Sequence, residues 1–493
     1  MSMSKKEKAD AVYKMLTRLT NIPEKSKSSK SSGSSRSSGS AKEKRNSKIL
    51  LPHLPSDSIK LITDYYQSLL EYKLVEWYPI NNLRKDFVSA NPNAIDFLCL
   101  PENERYINWY ILSENPNAVD FLEKNEKKIK YHHLSCNKSS NPKLIKLLNE
   151  YIKKNPRSKE INKEELSKNK YAIDILTFPE NHYYINWKGL SSNPSPKAIK
   201  FLTLDENIEN INWFEFSRNP CDNAIQFLND NPNYIDWCGL SGNTNSKAIP
   251  LISKRVKEEK KIKELSEKEY SKLKNKVCWM ALSANTNAID LIIKKIKEET
   301  LLDDIDWWAL SKNPSIFNPY KNNIRAKIKI VERMLLSNIS SSSQTKVTDL
   351  PKDLHEKITK ELLSISKNEL REGIPFDKLN LNILCENPNA IDLLRERMIF
   401  EKNLSKDEYD RLPSKINWGN LCRNPNAIEL LSLEENYDNL NWSELSKNPN
   451  AIHLLEKRVK YLSLNPQIVN TLRLHERISW NELSANPAIF VPQ

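Results

Sequence analysis

The stretch INWYILSENPNAVDFL, residues 107–122, decides the fold. It returns as INWGNLCRNPNAIELL at 416–431 and as LNWSELSKNPNAIHLL at 440–455, and looser copies fill much of the remaining chain. The serine of the motif, or a cysteine in its place, stands at Ser89, Ser113, Ser135, Ser167, Ser191, Ser217, Ser241, Ser283, Ser311, Cys385, Cys422, Ser446 and Ser484, which makes thirteen units. Trp109, Trp187, Trp213, Trp237, Trp279, Trp307, Trp418, Trp442 and Trp480 share one register. With nine of the eleven tryptophans in a single position, chance is no explanation. The shortest regular spacing is about 24 residues, as from Trp213 to Trp237, a period that marks a repeat architecture.

Each unit holds two helix starts. Asn108, Asp236 and Asp306 precede the tryptophan and suit an N-cap, because a short polar side chain can accept from orphan backbone N–H groups. Trp109 and Leu112 then share one face of a short helix. The second start is the asparagine two after the serine, present in every unit. Asn115, Asn193, Asn219, Asn424 and Asn448 are clear N-caps, each followed by a proline at the first helical position, where the missing N–H has no partner to lose.

So short a unit cannot bury Trp, Leu and Ile alone, whereas stacked neighbours can. The expected fold is therefore all-α, an α-solenoid of short two-helix repeats, with the nine tryptophans as its structural core. An indole hides ~150–250 Å², roughly 4–6 kcal/mol gross at ~25 cal/mol/Å², so an indole ladder could supply much of the energy between neighbours. The competing architecture is a leucine-rich-repeat-like coil of strands with an Asn ladder. L-S-x-N echoes that pattern, but the residue two before the leucine should be apolar and is Tyr110, Lys188, Gly419 or Ser443.

The repeats fall into two blocks. Leu54-Pro55 and Leu350-Pro351 each open an apolar-periodic segment that runs the same distance into a repeat, at Asn91 and Asn387. The first block closes with NPSIF (Asn313–Phe317) and the second with NPAIF (Asn486–Phe490), and SSSSQT at 340–345 lies between them. The expected organisation is a basic, largely disordered tail (1–49), a first array with a leading helix (50–336), a Ser-rich linker (337–349) and a second array with its own leading helix (350–493). The formal net charge is +13, and the tail carries most of it, with 13 Lys/Arg against 4 Asp/Glu. Its Ser/Lys run at 25–48 cannot bury enough apolar surface to fold. The insertions LSEKEYSKL (Leu265–Leu273) and LSKDEYDRL (Leu404–Leu412) match, and Ser266/Glu269 and Ser405/Glu408 have capping-box spacing.

Little in the sequence points to catalysis. Glycine numbers 7, and neither GxGxxG nor GxxxxGK[ST] occurs. The 7 cysteines are scattered with no CxxC, and the 7 histidines show no ligand spacing, so no cofactor and no metal are expected. A nucleophile needs one convergent site, which thirteen copies of a serine position do not offer. The start MSMSKKEKAD lacks a signal-peptide core, and no run approaches ~18 apolar residues. An intracellular protein with no membrane association is expected. The residue after the tryptophan is large or apolar at Tyr110, Phe214, Met280 and Trp308, but small or polar at Gly419, Ser443 and Asn481. Two readings stand: core between units, or an apolar binding ridge along the first array. The run Lys254–Lys276, with 10 Lys/Arg and 5 Glu, reads as a solvated helix or an anion-binding arm.

The phrase INWxxLSxNPNAIxLL, carried best by residues 107–122, 416–431 and 440–455, resembles tandem-repeat proteins encoded by giant DNA viruses of protists. The resemblance covers roughly 80–317 and 379–490 and implies a host-cell cytoplasmic setting, but no established activity. Tyr131 and Lys163 depart from it at the tryptophan position. LPSDSIKLITDYY and LPKDLHEKITKEL also resemble the first helix of an F-box, without its second helix. The function expected is a non-enzymatic scaffold for protein–protein interaction, viral and host-directed. An F-box-like ubiquitin-ligase adaptor and a nucleic-acid binder acting through the basic tail are the alternatives.

Overall fold

The structure is a computed structural model that describes residues 72–273, 275–298, 302–318 and 368–492. The expected tail, the F-box-like segments and the Ser-rich linker lie outside the described residues, apart from the last positions of the leading segments. The fold class is all-α. Regular structure among the described residues is helical except for two three-residue strands, Tyr72–Leu74 and Phe490–Pro492, which pair antiparallel.

One unit shows how the sequence builds each module. Asn108 is extended, and its side-chain oxygen accepts from Tyr110 N at 3.0 Å, which starts the helix Trp109–Glu114. Asn115 ends that helix with its own N–H on the Leu112 carbonyl. Its side-chain oxygen accepts from Asn117 N at 3.1 Å, starting the 3-10 turn Pro116–Ala118 that leads into the helix Val119–Lys124. Helices this short are unstable alone, so their persistence depends on what neighbouring units supply.

Much of that supply is a buried polar ladder. Asn115 Nδ2 donates to the carbonyls of Ser89 and Asn91 in the preceding unit, at 2.9 and 3.1 Å. Asn219 does the same to Ser191 and Asn193, and Asn448 to Cys422 and Asn424. All thirteen asparagines are buried, and each donates to the unit before it. The serines form a second ladder. Ser113 Oγ donates to the Trp109 carbonyl at 2.7 Å and accepts the N–H of Lys130, from the next unit, at 3.1 Å. The second asparagine of NPN adds a third: Asn117 donates to the Pro92 carbonyl and Asn450 to that of Pro425. The strand-built coil is thus absent from these units, yet an asparagine ladder of the kind it implied is present on helices.

The ladder crosses from the first block into the second. Asn387 Nδ2 donates to the carbonyls of Ser311 and Asn313, at 2.9 and 3.2 Å, and Asn380 N donates to Ser311 Oγ at 2.8 Å. It then returns to its beginning. Asn91 Nδ2 donates to the carbonyls of Ser484 and Asn486, at 3.2 and 2.9 Å, and Arg84 N to Ser484 Oγ at 3.2 Å. The expectation of two separate arrays is corrected: the described residues of both blocks share one circuit that closes on itself. The two seams are chemically alike. At one, Leu74 faces Phe490, Val75 N donates to Ile489 O at 2.9 Å and Tyr72 N to Asp96 Oδ2 at 3.0 Å. At the other, Leu370 faces Phe317, Arg371 N donates to Ile316 O at 2.8 Å and Asn368 N to Asp392 Oδ2 at 2.9 Å. The NPSIF and NPAIF terminators are therefore docking segments, each seated on the start of the other block.

The apolar core follows the ladder. The leucine three after the tryptophan (Leu112, Leu240, Leu310) and the alanine of NPNA (Ala118, Ala248, Ala427) are fully buried. The tryptophans are placed differently from expectation. Trp442 alone of the nine is buried; the other eight are half-buried at the margin of the core. Trp109, Trp187 and Trp213 stack within their own units, and Trp480 meets Tyr78 edge-on at 5.5 Å across the seam. Trp109 stacks on Phe121 at 5.8 Å, and Trp213 on Phe227 and Tyr234 at 6.2 and 4.3 Å. Where the second helix is extended, a cation replaces the phenylalanine: Arg255 lies over Trp237 at 5.3 Å, Lys295 over Trp279 at 4.3 Å and Arg458 over Trp442 at 4.9 Å. Positions where neighbouring backbones come within hydrogen-bond reach take Leu, Ala, Ser and Asn, because an indole would hold the units apart.

The insertions are tied back by buried carboxylates. Glu259 accepts from Arg255 Nε at 2.9 Å and from Val277 N at 3.0 Å, and Glu401 accepts from Arg397 Nε at 2.8 Å and Ile416 N at 3.1 Å. Ser405 and Glu408 form the full capping box, while Ser266 accepts from Glu269 N at 3.2 Å.

Three outcomes follow from the ladder. Asn219→Ala leaves two buried carbonyls without a donor, and should cost about 2–4 kcal/mol in a urea melt. Asn219→Asp should cost as much, since a carboxylate can still cap the turn but cannot donate; a neutral Asp variant would remove the ladder from the energetics. A protease site placed in the 340–345 run and cut should leave residues 72–318 and 368–492 co-eluting on a sizing column. Separate elution of the two pieces would refute the closed circuit.

Candidate functional site

The outward face of the Trp helices is built by the same geometry that forms the ladder. At ~100° per residue, Trp, the leucine three on and the serine four on turn toward the core, while the residues one and five after the tryptophan turn away. Tyr110, Phe214, Met280 and Trp308 are 54, 39, 61 and 53 % exposed. They do not form a core between units. Cys238, at the same position of its unit, is exposed as well.

The four candidates do not form a single line. Phe214, Cys238, Met280 and Trp308 belong to consecutive units, joined by the Asn243, Asn285 and Asn313 links of the ladder. Tyr110 is set apart, because the units between carry His132, Glu164 and Lys188 at this position. Its ring meets the edge of His133 at 5.4 Å and carries Lys130 at 4.9 Å. Beyond Trp308 the position holds Asn382, Gly419, Ser443 and Asn481. The apolar stripe therefore spans four units, with Cys238 as the member that sequence reading missed. Reading the column unit by unit, instead of selecting its large members, would have found it.

The stripe has a distinct floor and rim. One helical turn after Cys238 and Met280 stand Gly242 and Ala284, and one turn after Phe214 and Trp308 stand Arg218 and Lys312. The centre thus carries small residues, with the Arg218 side chain reaching to 3.5 Å from where a Cβ on Gly242 would stand, and Lys312 lies at the far end. Lys312 Nζ lies 5.8 Å from the Trp308 ring and 3.4 Å from Glu386. Two glycines set the spacing below. A Cβ on Gly239 would lie 2.4 Å from the Phe214 carbonyl oxygen, and one on Gly189 would lie 2.7 Å from that of Glu164.

The remaining sequence candidates take structural positions. Asn115, Asn193, Asn219, Asn424 and Asn448 accept from the N–H two residues on and donate to the preceding unit. Asn115 and Asn448 are N-caps as expected, but the helices after Asn193, Asn219 and Asn424 start from Ser195, Cys221 and Ala427, so there the oxygen closes a local turn instead. That local role accounts only for the oxygens. A buried amide nitrogen recurring in every unit was the signal for the ladder, because a buried donor needs an acceptor. Most of the motif serine hydroxyls, Ser113, Ser241 and Ser311 among them, donate to the carbonyl four residues back and accept an N–H from the next unit. Cys385 and Cys422 occupy the serine position, and burial pushes their thiols up to about 11 and about 12. In the basic insertion, Arg255 pairs with Glu259 at 2.9 Å and Lys260 with Glu298 at 2.9 Å, so part of its charge is matched locally. Among the described residues no three His, Cys, Asp or Glu side chains group as metal ligands, and no helix is long and apolar enough to cross a membrane. What the stripe offers is a row of exposed apolar side chains with Arg218 and Lys312 beside it. Comparison with protein-family models, with curated proteins and with solved structures finds no match.

The glycine spacing can be tested directly. Gly239→Ala should cost about 1–3 kcal/mol, because backbone must move to admit the methyl. Gly242→Ala, whose nearest neighbour is the Arg218 side chain at 3.5 Å, should fall within about 0.5 kcal/mol of the parent protein. Equal costs in chemical denaturation would show that the two helices are not held at the described separation.

Proposed function

We propose that the chain is an α-solenoid of two-helix units, closed on itself, that serves as a non-enzymatic scaffold for a protein partner. The observation that carries this reading is the run of exposed Phe214, Cys238, Met280 and Trp308 on four consecutive units. Large exposed apolar side chains in one row mark recognition surfaces more often than single exposed ones do, and aromatic side chains supply much of the energy at such surfaces. Rigid backbone beneath the row lowers the ordering cost on binding. Arg218 and Lys312 beside the row favour a partner segment that is apolar and carries acidic residues. The resemblance to giant-virus repeat proteins adds a host protein as the partner. The ubiquitin-ligase and nucleic-acid readings rest on segments outside the described residues, and no observation on the described ones favours either.

The test is a triple variant, Phe214→Ser, Met280→Ser and Trp308→Ser, compared with the parent protein carrying a photo-crosslinking residue at Tyr110 or at Cys238. The variant should keep its helical circular dichroism and its urea midpoint. Crosslinks formed from position 238 in expressing cells should fall at least tenfold in the triple variant, and those from position 110 should change little. A partner captured equally well by the variant would place binding elsewhere. Loss of fold in the variant would return these side chains to a structural role.

A further inference from the structure

Cys238 and Cys278 sit in neighbouring units, and the structure pins them together from both sides. Asn275 Oδ1 accepts the N–H of Trp237, the residue before Cys238, at 2.8 Å, and Asn275 Nδ2 donates to the Ile235 carbonyl at 2.7 Å. The N–H of Cys278 donates to Ser241 Oγ, three residues past Cys238, at 3.0 Å. Between these anchors, Val277 N is held by the buried carboxylate of Glu259 at 3.0 Å. The chain from 275 to 278 is thereby laid along the residues that flank Cys238.

The register of the units says that these two side chains meet. Cys238 follows the tryptophan of its unit, and Cys278 is the N-cap residue of the next Trp helix. In the first unit the residue in the position of Cys238 is Asp86, and the next N-cap is Asn108; their side chains are hydrogen-bonded at 2.6 Å. In the second block the same two positions are Gly419 and the next N-cap Asn441, and a Cβ on Gly419 would lie 3.6 Å from Asn441 Nδ2, so the register brings the side chains of Cys238 and Cys278 toward each other. Cys278 also stands where most other units have Asn or Asp, and it gives its helix no side-chain cap. A cysteine there forgoes a useful hydrogen bond and gains a thiol partner.

We propose that Cys238 and Cys278 are a redox modification site, a dithiol that a low-molecular-weight disulfide such as oxidised glutathione converts to a disulfide between the two units. Cys238, the more exposed of the two, attacks as thiolate on one glutathione sulfur. A mixed disulfide forms and one glutathione thiolate leaves. Cys278, after losing its proton, attacks the Cys238 sulfur and expels the second glutathione. Two electrons and two protons pass from the pair to the oxidant, and one S–S bond replaces another. Burial and the neighbouring thiol push Cys238 up to about 11, so at neutral pH the attacking thiol is protonated and exchange is slow. The rate should rise close to tenfold per pH unit between 7 and 9, because only the thiolate attacks. This site stands independently of the binding role proposed for the stripe, although closing the bond would alter the stripe at its centre.

The experiment uses the full chain, reduced and then incubated with a series of reduced-to-oxidised glutathione ratios at pH 7 and pH 9. Remaining thiols are alkylated and peptides mapped by mass spectrometry. The expected result is one cross-linked peptide pair joining 238 to 278, two fewer alkylated thiols, faster closure at pH 9 and a raised thermal midpoint that dithiothreitol reverses. Cys278→Asn, which supplies the cap residue of most other units, should fold normally, form no such cross-link and show no oxidant-dependent midpoint. Both cysteines alkylated after prolonged exposure at pH 9, Cys238 held only as its glutathione adduct, or cross-links spread evenly over other cysteines would each overturn the proposal.

Discussion

A single carboxamide per unit, buried and used at both of its atoms, is what the rest of the molecule depends on. Its oxygen starts the turn that follows, and its nitrogen holds the carbonyls that end the helix of the unit before. Helix termini leave backbone carbonyls without partners, and six-residue helices have proportionally more of them than long helices do. Thirteen short helices could not be packed side by side unless those groups were matched. Asparagine is the side chain short enough to cap locally while its amide reaches across; aspartate could accept but not donate, and serine or threonine has one hydrogen where two carbonyls wait.

The ladder explains the composition around it. Units that share backbone hydrogen bonds are too close for bulky side chains at the contact, so leucine, alanine, serine and, at Gly189 and Gly239, glycine fill those places. Eight of the nine indoles are displaced to the margin, where Trp109, Trp187, Trp213, Trp237 and Trp279 cover their own second helices with an aromatic or cationic partner. Burial at the ladder and exposure one residue after the tryptophan are two results of one helical register. The apolar stripe therefore rests on backbone that is fixed by chemistry having nothing to do with binding.

Much of this was legible from the chain alone. The unit boundaries and the two starts per unit come from local spacing. Asn115 and Asn448 cap the turns that follow them, whereas the helices after Asn193, Asn219 and Asn424 are entered from Ser195, Cys221 and Ala427, and at Asn193 and Asn219 the side-chain oxygen holds the N–H of that entry residue instead. What was not legible is non-local. The contacts of Asn91 with Ser484 and Asn486 join residues nearly the whole described chain apart, and no pattern near either end announces them. The duplicated segments before Asn91 and Asn387 and the paired NPSIF and NPAIF terminators were visible as a symmetry of two arrays. The same symmetry serves equally well for two matched seams, and only the placement of Leu74 against Phe490 and of Leu370 against Phe317 decides between them. The position of the indoles was misjudged because burial was inferred from size and recurrence, although a bulky side chain recurs just as regularly when it covers a core as when it fills one.

A stack of modules with two free termini has two weak places, since each outermost module touches only one neighbour and can peel away first. A loop of modules has none. To release any one of them, both of its interfaces must break at once, and the gap so made exposes two bare faces. Partial melting is then penalised wherever it begins, and the described part of the chain should gain or lose its structure nearly as one body despite being assembled from small parts.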